Sequence, residues 1–222
     1  MKTLQDLLSK QRLDSYVSID EHFDNLALVA KLTPKLATLE IILRNLLDRE
    51  LSRIDTEWIE NSKDLKIIEI RQRISKTSNT KALKHHQYLS RLTLGVVIHA
   101  IRKEKLQNSI MELKSIKFKR YDTSNREYFY KESKKLYFSN INKVDIVLSL
   151  LHNLRNRCYH WENILKLRFE NNGYFPRLTT TIKDTLIGIH PSKLEIFLED
   201  LLKCFDEKLL KYCEDGFKKV GN

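Results

Sequence analysis

The sequence predicts an all-α fold, and three observations lead to that prediction. The 222 residues include only five Gly and three Pro, which is few for an architecture rich in turns. Leu, Ile, Lys and Glu are abundant, and this composition favours helices. Apolar residues recur three and four positions apart in several segments, as they do on the buried face of a helix. The length suits one domain with its own core, over residues 1–222.

The first half of the chain is predicted to form a series of helices. Residues 1–31 are expected to form one or two short helices. Thr33-Pro34 predicts the start of a longer helix, because a capping hydroxyl followed by proline is typical of a first helical turn. A helix over Lys63–Lys76 follows, and the most apolar segment, Leu92–Arg102, is expected to be a buried helix. His85-His86 are expected on the surface, since no third ligand lies at the spacing of a zinc site.

Residues 101–143 differ from the rest in composition, and we expect them to form a basic, aromatic-rich helical insert. They hold 12 Lys and Arg against 5 Asp and Glu, together with seven aromatic residues. Basic groups that alternate with aromatic rings suit single-stranded RNA, because the charges follow the backbone and the rings stack on bases. The alternative is an insert whose aromatic rings pack inward and whose lysines are solvated. The candidate RNA-binding residues are Lys117, Lys119, Arg120, Lys131, Lys134 and Lys135.

The second half is expected to contain two further helices. The first is capped by Asn140 or Asn142 and has an apolar stripe at Val144, Val147, Leu151, Leu154 and Cys158. Residues 168–180 are predicted to be a loop because of their turn signals, and residues 179–193 a loop or a weak helix. The last helix is predicted over Ser192–Asp215.

The charge of the chain predicts a polyanionic partner. The formal net charge is +11 and the isoelectric point is near 9.5, so nucleic acid or an anionic membrane surface is the expected class of partner. No apolar run approaches the ~20 residues that a membrane span needs, and the first residues do not resemble a secretion signal. We therefore expect a soluble, cytoplasmic protein that is not embedded in a membrane.

The three cysteines do not predict a disulfide framework or a zinc site. Their number is odd, and no C-x-x-C pair is present. Cys158 falls on the apolar stripe of its helix and is expected to be a small core residue. A catalytic thiol at this position is the less favoured alternative.

The most informative stretch contains Arg155, Asn156 and His160. An arginine offers a planar, permanently charged fork to a phosphate, and a histidine exchanges a proton near neutral pH. Arg155 and His160 lie five positions apart, which is roughly 140° around an ideal helix. One straight helix therefore cannot easily direct both at one phosphate. Either the helix ends between them, or the site combines residues from two chains of a symmetric dimer.

Three segments in order carry a resemblance to a known family. "LRNRCYHWENI" (Leu154–Ile164) is similar to the Arg-x4-6-His region of HEPN domains, and in particular of the Abi-like (abortive infection) family. "LEIILRNLLDREL" (Leu39–Leu51) and "LTLGVVIHAI" (Leu92–Ile101) resemble two upstream segments of that family. The chain departs from the family pattern at Trp161, where the family has a second histidine, and at Asn163, where it has a proline.

The resemblance implies a HEPN-like helical bundle that cleaves RNA without a metal or any other cofactor. His160 would act as general acid or base, Arg155 would hold the scissile phosphate, and Asn156 would orient His160 or the phosphate. The supporting residues would be Arg44, Asn45, His152, Arg157 and Glu162. The resemblance further implies a homodimer, a role in phage defence as a growth-arresting toxin, and an antitoxin made of protein or RNA.

Two other functions are compatible with the sequence. The first is a non-catalytic module of the same fold, which binds RNA or another protein and uses the arginine and histidine only as contacts. The second is a basic peripheral membrane protein. It is the weaker alternative, because every apolar stripe is expected to be needed by the core.

Overall fold

The computed structural model describes residues 3–77, 83–170 and 172–213, and it divides the chain into two compact units. Unit 1 comprises Met1–Ala37 and Leu113–Asn222, and unit 2 comprises Thr38–Glu112. The helices and strands, in chain order, are α1 (Leu4–Leu8), α2 (Lys10–Leu13), α3 (Ile19–Ser52), α4 (Trp58–Asn61), α5 (Leu65–Thr77), α6 (His85–Leu89), α7 (Leu94–Lys103), α8 (Gln107–Ile110), β1 (Tyr128–Lys131), β2 (Lys134–Tyr137), α9 (Asn140–Tyr159), β3 (Leu167–Glu170), β4 (Gly173–Pro176), β5 (Leu178–Ile182), β6 (Thr185–Ile189) and α10 (Leu194–Lys203).

The prediction of an all-α fold is wrong. Helix accounts for 59% of the chain and strand for 13%, so the class is mixed although mostly helical. All the strands described belong to unit 1, whereas the elements described in unit 2 are helices. The six strands form three separate antiparallel hairpins, β1–β2, β3–β4 and β5–β6.

Residues 168–180, predicted as a loop, and residues 179–193, predicted as a loop or a weak helix, hold the strands β3 to β6, so both predictions are wrong. In the β5–β6 hairpin, Ile182 lies opposite Thr185, and the two residues between them, Lys183 and Asp184, both have positive φ. This backbone conformation matches the right-handed twist of the paired strands. Strand β5 lies against α9, which covers part of its β-branched surface.

The basic stretch 101–143 is not a helical insert. It contains a 3-10 turn (Phe118–Arg120) and the β1–β2 hairpin, with α-helix only towards its two ends. Its seven aromatic residues differ in burial, and Tyr128 is intermediate. Four of them are buried in the core, and they are Phe118, Tyr121, Phe129 and Phe138. Tyr130 and Tyr137 are exposed on the hairpin.

Helix α9 is the centre of the unit 1 core. Its predicted apolar stripe is fully buried, from Val144 to Cys158. The helix is capped by Ser139 rather than by Asn140 or Asn142, and the Ser139 hydroxyl accepts a hydrogen bond from the Asn142 amide (3.3 Å). Asn142 completes a capping box, since its side-chain oxygen accepts from the Ser139 amide (3.2 Å).

Lys143, one of the lysines of the basic stretch, is buried rather than solvated. Its ammonium group donates to the backbone carbonyls of Leu113 (3.1 Å), Lys114 (3.3 Å) and Ile116 (2.8 Å). These bonds satisfy the donors of a charge that burial would otherwise destabilise. Lys143 therefore fixes the segment before the 3-10 turn to α9, and its charge does not face solvent.

Helix α3 passes through Thr33-Pro34 without interruption, so the helix start predicted at this dipeptide is wrong. The Thr33 hydroxyl donates to the Val29 carbonyl (2.7 Å) instead of capping a new helix. An internal proline costs about 3 kcal/mol. The apolar stripe through Leu32 and Leu36 is fully buried on either side of it, and this burial outweighs the cost.

Helix α10 is anchored to the middle of α3 by a buried lysine. Lys35, which is 4% exposed, pairs with Glu195 (2.9 Å) and Glu199 (3.6 Å).

The predicted last helix, Ser192–Asp215, is interrupted. Helix α10 ends at Lys203, the chain becomes helical again over residues 208–213, and the rest of the predicted helix lies outside the described residues.

Unit 2 confirms two predicted helices. Helix α5 (Leu65–Thr77) corresponds to the helix expected over Lys63–Lys76, and α7 corresponds to the one expected over Leu92–Arg102. In α7, six of the ten residues are buried, as expected for the most apolar segment. Across the residues that the structure describes, no helix is both long and apolar enough to cross a membrane.

Candidate active site

The candidate active site lies at the carboxyl end of α9, where the helix ends between Arg155 and His160. Tyr159 is the last helical residue and His160 is the C-cap. The Trp161 amide donates to the Cys158 carbonyl (3.1 Å) and the Glu162 amide donates to the Arg157 carbonyl (2.9 Å). This pair of bonds is a Schellman motif, which closes a helix and reverses the chain direction.

Three side chains hold the segment after α9 in place. Asn25 is fully buried, and its amide donates to the Tyr16 hydroxyl and to the Glu162 carbonyl, both at 3.1 Å. Its oxygen accepts from the Ile164 amide (2.8 Å). Asn163 donates to the Ser15 carbonyl (2.8 Å), and Arg12 donates to the Trp161 carbonyl (2.8 Å). The backbone beside His160 is therefore fixed by residues that are distant in the sequence.

A cleft of about 380 Å³ opens beside this segment. Its lining combines the residues that follow α9 with residues from α2, from the turn after α2 and from the link between β4 and β5. They are Ser9, Gln11, Arg12, Ser15, Tyr16, His160, Trp161, Glu162, Asn163 and Arg177. His160 is exposed in this cleft, and its side chain makes no hydrogen bond with any described residue.

The electrostatics of the cleft favour an anion. Arg12 and Arg177 both line it, and the only carboxylate among the lining residues is Glu162. A third arginine, Arg157, lies 3.8 Å from Glu162. Burial lowers the pKa of Arg157 below its ordinary value, the negative charge of Glu162 opposes this change, and the positive charge of Arg177 adds to it. The positive charges of Arg157 and Arg177 repel each other. Glu162 offsets part of this repulsion, and a bound phosphate would offset more of it.

The other members of the predicted catalytic group lie on α9. Arg155 is half-buried, and its guanidinium carbon lies 4.6 Å from the centre of the Tyr159 ring. It is not among the residues that line the cleft of His160. The side-chain nitrogen of Asn156 lies 3.3 Å from Nε2 of His152, whereas its backbone carbonyl accepts from the His160 amide (2.9 Å). Asn156 and His152 therefore form a pair of their own along the helix.

The remaining supporting residues, Arg44 and Asn45, belong to unit 2. Arg44 donates to the Glu40 carboxylate (3.2 Å) and to the Leu92 carbonyl (3.0 Å), and Asn45 is exposed. Arg44 thus joins two of the segments on which the family resemblance depends. Within its own unit it has a structural role.

Cys158 is the core residue that the sequence predicts. It is fully buried, and burial raises the pKa of its thiol to about 12. A thiol of this kind is almost entirely protonated near neutral pH and is therefore a poor nucleophile.

The predicted RNA-binding lysines of the hairpin lie on both of its faces, and one of them, Lys135, lies among tyrosines. Tyr128 pairs with Tyr137 and Tyr130 pairs with Lys135, so these four side chains share one face of the ribbon. The ammonium group of Lys135 lies 4.0 Å from the centre of the Tyr128 ring and 5.1 Å from that of Tyr137. Lys131 and Lys134 lie opposite each other on the other face, beside the buried Phe129.

The other three predicted RNA-binding residues lie around the 3-10 turn. Lys117 and Arg120 line a second cleft of about 380 Å³, and Lys119 is exposed beside them. Arg120 lies 3.4 Å from the buried carboxylate of Asp200, which also accepts a hydrogen bond from Tyr121 (2.9 Å). Burial and the charge of Asp200 raise the pKa of Tyr121, so this phenol stays a hydrogen-bond donor.

The sequence interpretation missed Arg12 and Arg177. Neither residue is near the Arg155–His160 motif in the chain, and no spacing rule relates them to it.

The sequence interpretation was also wrong about His85, which is half-buried rather than on the surface. Its Nε2 lies 2.7 Å from Asp48 and its Nδ1 lies 2.9 Å from Glu60, and Trp58 donates to the same Asp48 oxygen (2.9 Å).

The His85 cluster makes unit 2 sensitive to alkaline pH. Burial opposes the charged imidazolium, but the hydrogen bonds to Asp48 and Glu60 outweigh burial and raise the pKa of His85. The stabilisation that protonated His85 gives to the folded state is therefore complete below the pKa of histidine in the unfolded chain, about 6.5. This stabilisation is lost as the pH rises through the higher pKa of His85 in the folded state. We expect the urea midpoint of the wild type to fall more steeply than that of His85→Gln between pH 6 and 9. Parallel pH profiles of the two proteins would contradict this.

Comparisons with known proteins give no match: neither a family model, nor a curated protein, nor a solved structure is similar to this chain. Among the residues described, no group of three or more His, Cys, Asp and Glu side chains is arranged to hold a metal ion.

Proposed function

We propose that this chain is a metal-independent endoribonuclease of the HEPN type. The observation that carries the proposal is the exposed His160 in a cleft that Arg12 and Arg177 also line. A proton-transfer group beside two permanent cations is the combination that phosphodiester cleavage requires. The resemblance of Leu154–Ile164 to the family motif supports the same reaction.

The proposed reaction uses the 2′-hydroxyl of the RNA as the nucleophile. The 2′-oxygen forms a bond to the phosphorus, and the bond from phosphorus to the 5′-oxygen breaks. His160 takes the proton of the hydroxyl or gives a proton to the leaving oxygen, and the arginines stabilise the charge that develops on the phosphate. The products carry a 2′,3′-cyclic phosphate and a 5′-hydroxyl.

We further propose that the functional form is a homodimer. Arg155 does not line the cleft that His160 lines, so one protomer does not combine the two residues in that cleft. A two-fold axis near the end of α9 would bring Arg155 of one protomer to His160 of its partner. Light scattering is the direct measurement of this state.

The biological role that we propose follows from the resemblance to the Abi-like family. The chain would act in the cytoplasm as a phage-defence or toxin–antitoxin toxin that cuts single-stranded or structured cellular RNA. A protein or RNA antitoxin would restrain it. The basic hairpin, with Lys131, Lys134 and Lys135, would hold the RNA outside the cleft, together with Lys117, Lys119 and Arg120.

The proposal is tested with two oligonucleotides of the same sequence in the presence of EDTA. One is labelled RNA and the other carries a 2′-O-methyl group on every ribose, so that it is bound but lacks the nucleophile. We expect cleavage of the RNA alone, with cyclic phosphate and 5′-hydroxyl ends. Cleavage of both, or products with 5′-phosphate ends, would contradict the mechanism.

A second candidate function is a module that binds RNA or another protein without cleaving RNA. The placement of Arg155 favours it, because a guanidinium stacked on Tyr159 is a stable contact that needs no catalytic role. Tight binding of both oligonucleotides without cleavage of either would support this function.

A further inference from the structure

Trp161 has a backbone conformation that large side chains rarely adopt. It is the residue that follows the C-cap of α9, and its φ is 55°. In a Schellman motif this left-handed position is usually occupied by glycine, because a Cβ atom crowds the neighbouring carbonyl oxygen there. A tryptophan at this position works against the stability of the turn.

The core does not account for the choice of tryptophan. The side chain is 52% exposed, and the indole nitrogen donates no hydrogen bond to any residue that the structure describes. The contacts that fix Trp161 involve its backbone, namely its amide with the Cys158 carbonyl and its carbonyl with Arg12. A large, half-exposed ring on a residue with an unfavourable backbone conformation points to a function at the surface.

The surroundings indicate what such a surface would bind. Trp161 lies between His160 and Glu162 on the lining of the cleft, which Arg12 and Arg177 also line. The cleft therefore presents a flat apolar ring together with two guanidinium groups. This combination matches a nucleotide, because the ring stacks on a base while the cations bind its phosphate.

We propose that Trp161 is the stacking platform for one nucleobase, next to a phosphate that Arg12 and Arg177 bind. The inference rests on the proposed RNA substrate and names a binding subsite within the same cleft. Because every base offers a flat face, the platform selects for the presence of a base more than for its identity. Arg12 has two roles, since one of its nitrogens fixes the Trp161 carbonyl while the guanidinium charge faces the cleft.

The test compares Trp161→Gly with the wild type. Glycine suits the left-handed backbone, so this variant removes the ring without straining the turn, and its thermal midpoint should equal or exceed that of the wild type. Affinity is measured by fluorescence anisotropy with a labelled 2′-O-methyl oligoadenylate, which is not cleaved. We expect Trp161→Gly to weaken binding by about ten- to a hundredfold, and Trp161→Phe to retain most of the affinity.

Two controls make the outcome specific. An abasic oligonucleotide has the same charges without the rings, and Trp161→Gly should bind it as the wild type does. Arg177→Gln should weaken the binding of both oligonucleotides and reduce the salt dependence. Equal affinity of Trp161→Gly and the wild type for oligoadenylate, or equal losses with both oligonucleotides, would overturn the subsite. Because the oligonucleotide is not cleaved, a protein that binds in this way but cuts no RNA would refute the proposed reaction and leave the subsite intact.

Discussion

Replacing His160 with alanine is expected to slow the cleavage of single-stranded RNA by about a hundred- to ten-thousandfold. That is the range usually lost with a general acid or base. His160 is exposed and makes no side-chain hydrogen bond with the described residues, so the substitution should leave the fold unchanged. The measurement is the single-turnover rate on labelled RNA in EDTA.

The matched control is His86→Ala. His86 is also an exposed histidine, but it belongs to unit 2, so its loss should leave the rate unchanged. Both variants pass through the same purification, which exposes any contaminating nuclease. Added imidazole should restore part of the rate to His160→Ala, because the missing group is a proton carrier. Equal rates for wild type and His160→Ala would remove His160 from the mechanism.

Replacing Asn25 with leucine is expected to lower the free energy of unfolding by about 3 kcal/mol. The side chain is fully buried and contacts the Tyr16 hydroxyl, the Glu162 carbonyl and the Ile164 amide. Leucine has a similar volume but leaves these buried groups without their partner, at about 1–3 kcal/mol for each group that stays unsatisfied. Urea unfolding followed by circular dichroism measures the loss.

Asn153→Leu is the matched control for this stability prediction. Asn153 is exposed and its amide makes a single bond, to the Thr179 carbonyl (3.2 Å), so we expect a cost below about 1 kcal/mol. Asn25→Leu should also reduce cleavage at temperatures where it remains folded, because Asn25 positions the segment that follows His160. A similar cost for the two variants would show that Asn25 does not hold this segment.

Several helices could be predicted from the sequence because their signal is local. The stripe of α9 is read directly from residues three and four positions apart, and all of it is buried. The Thr33-Pro34 prediction failed because it relied on a local rule. The apolar stripe continues on both sides of Pro34, and the tertiary burial of Leu32 and Leu36 decided the outcome.

Two of the three hairpins, β1–β2 and β5–β6, could not be predicted because their turns lack the usual residues. The turns at Glu132-Ser133 and Lys183-Asp184 have positive φ at both positions, yet neither contains the glycine or asparagine that normally marks them. In β6, Gly188 approaches its neighbour closely, and a Cβ atom there would lie 2.5 Å from Pro176. This contact joins two hairpins, and such a contact leaves no periodic pattern in the sequence.

Only the part of the candidate site that lies in one continuous stretch of sequence could be predicted. Arg155 and His160 belong to one short motif, so the spacing alone raised the question of where the helix ends. Arg12, which lines the cleft beside His160, is 149 positions from Trp161, the residue to which it is hydrogen-bonded. The left-handed turn at Trp161 was hidden as well, because no glycine marks it.

The lysines of the β1–β2 hairpin also bear on whether the protein remains in solution. A ribbon of two strands has two open edges, each of which could pair with a strand of another molecule and begin aggregation. All four residues of β2 are exposed, and Lys134 and Lys135 keep its edge charged. Replacing these lysines with neutral residues would remove both the proposed RNA contacts and this protection. Charge reversal to glutamate would remove only the proposed RNA contacts, because the edge stays charged, so it is the more informative substitution in this hairpin.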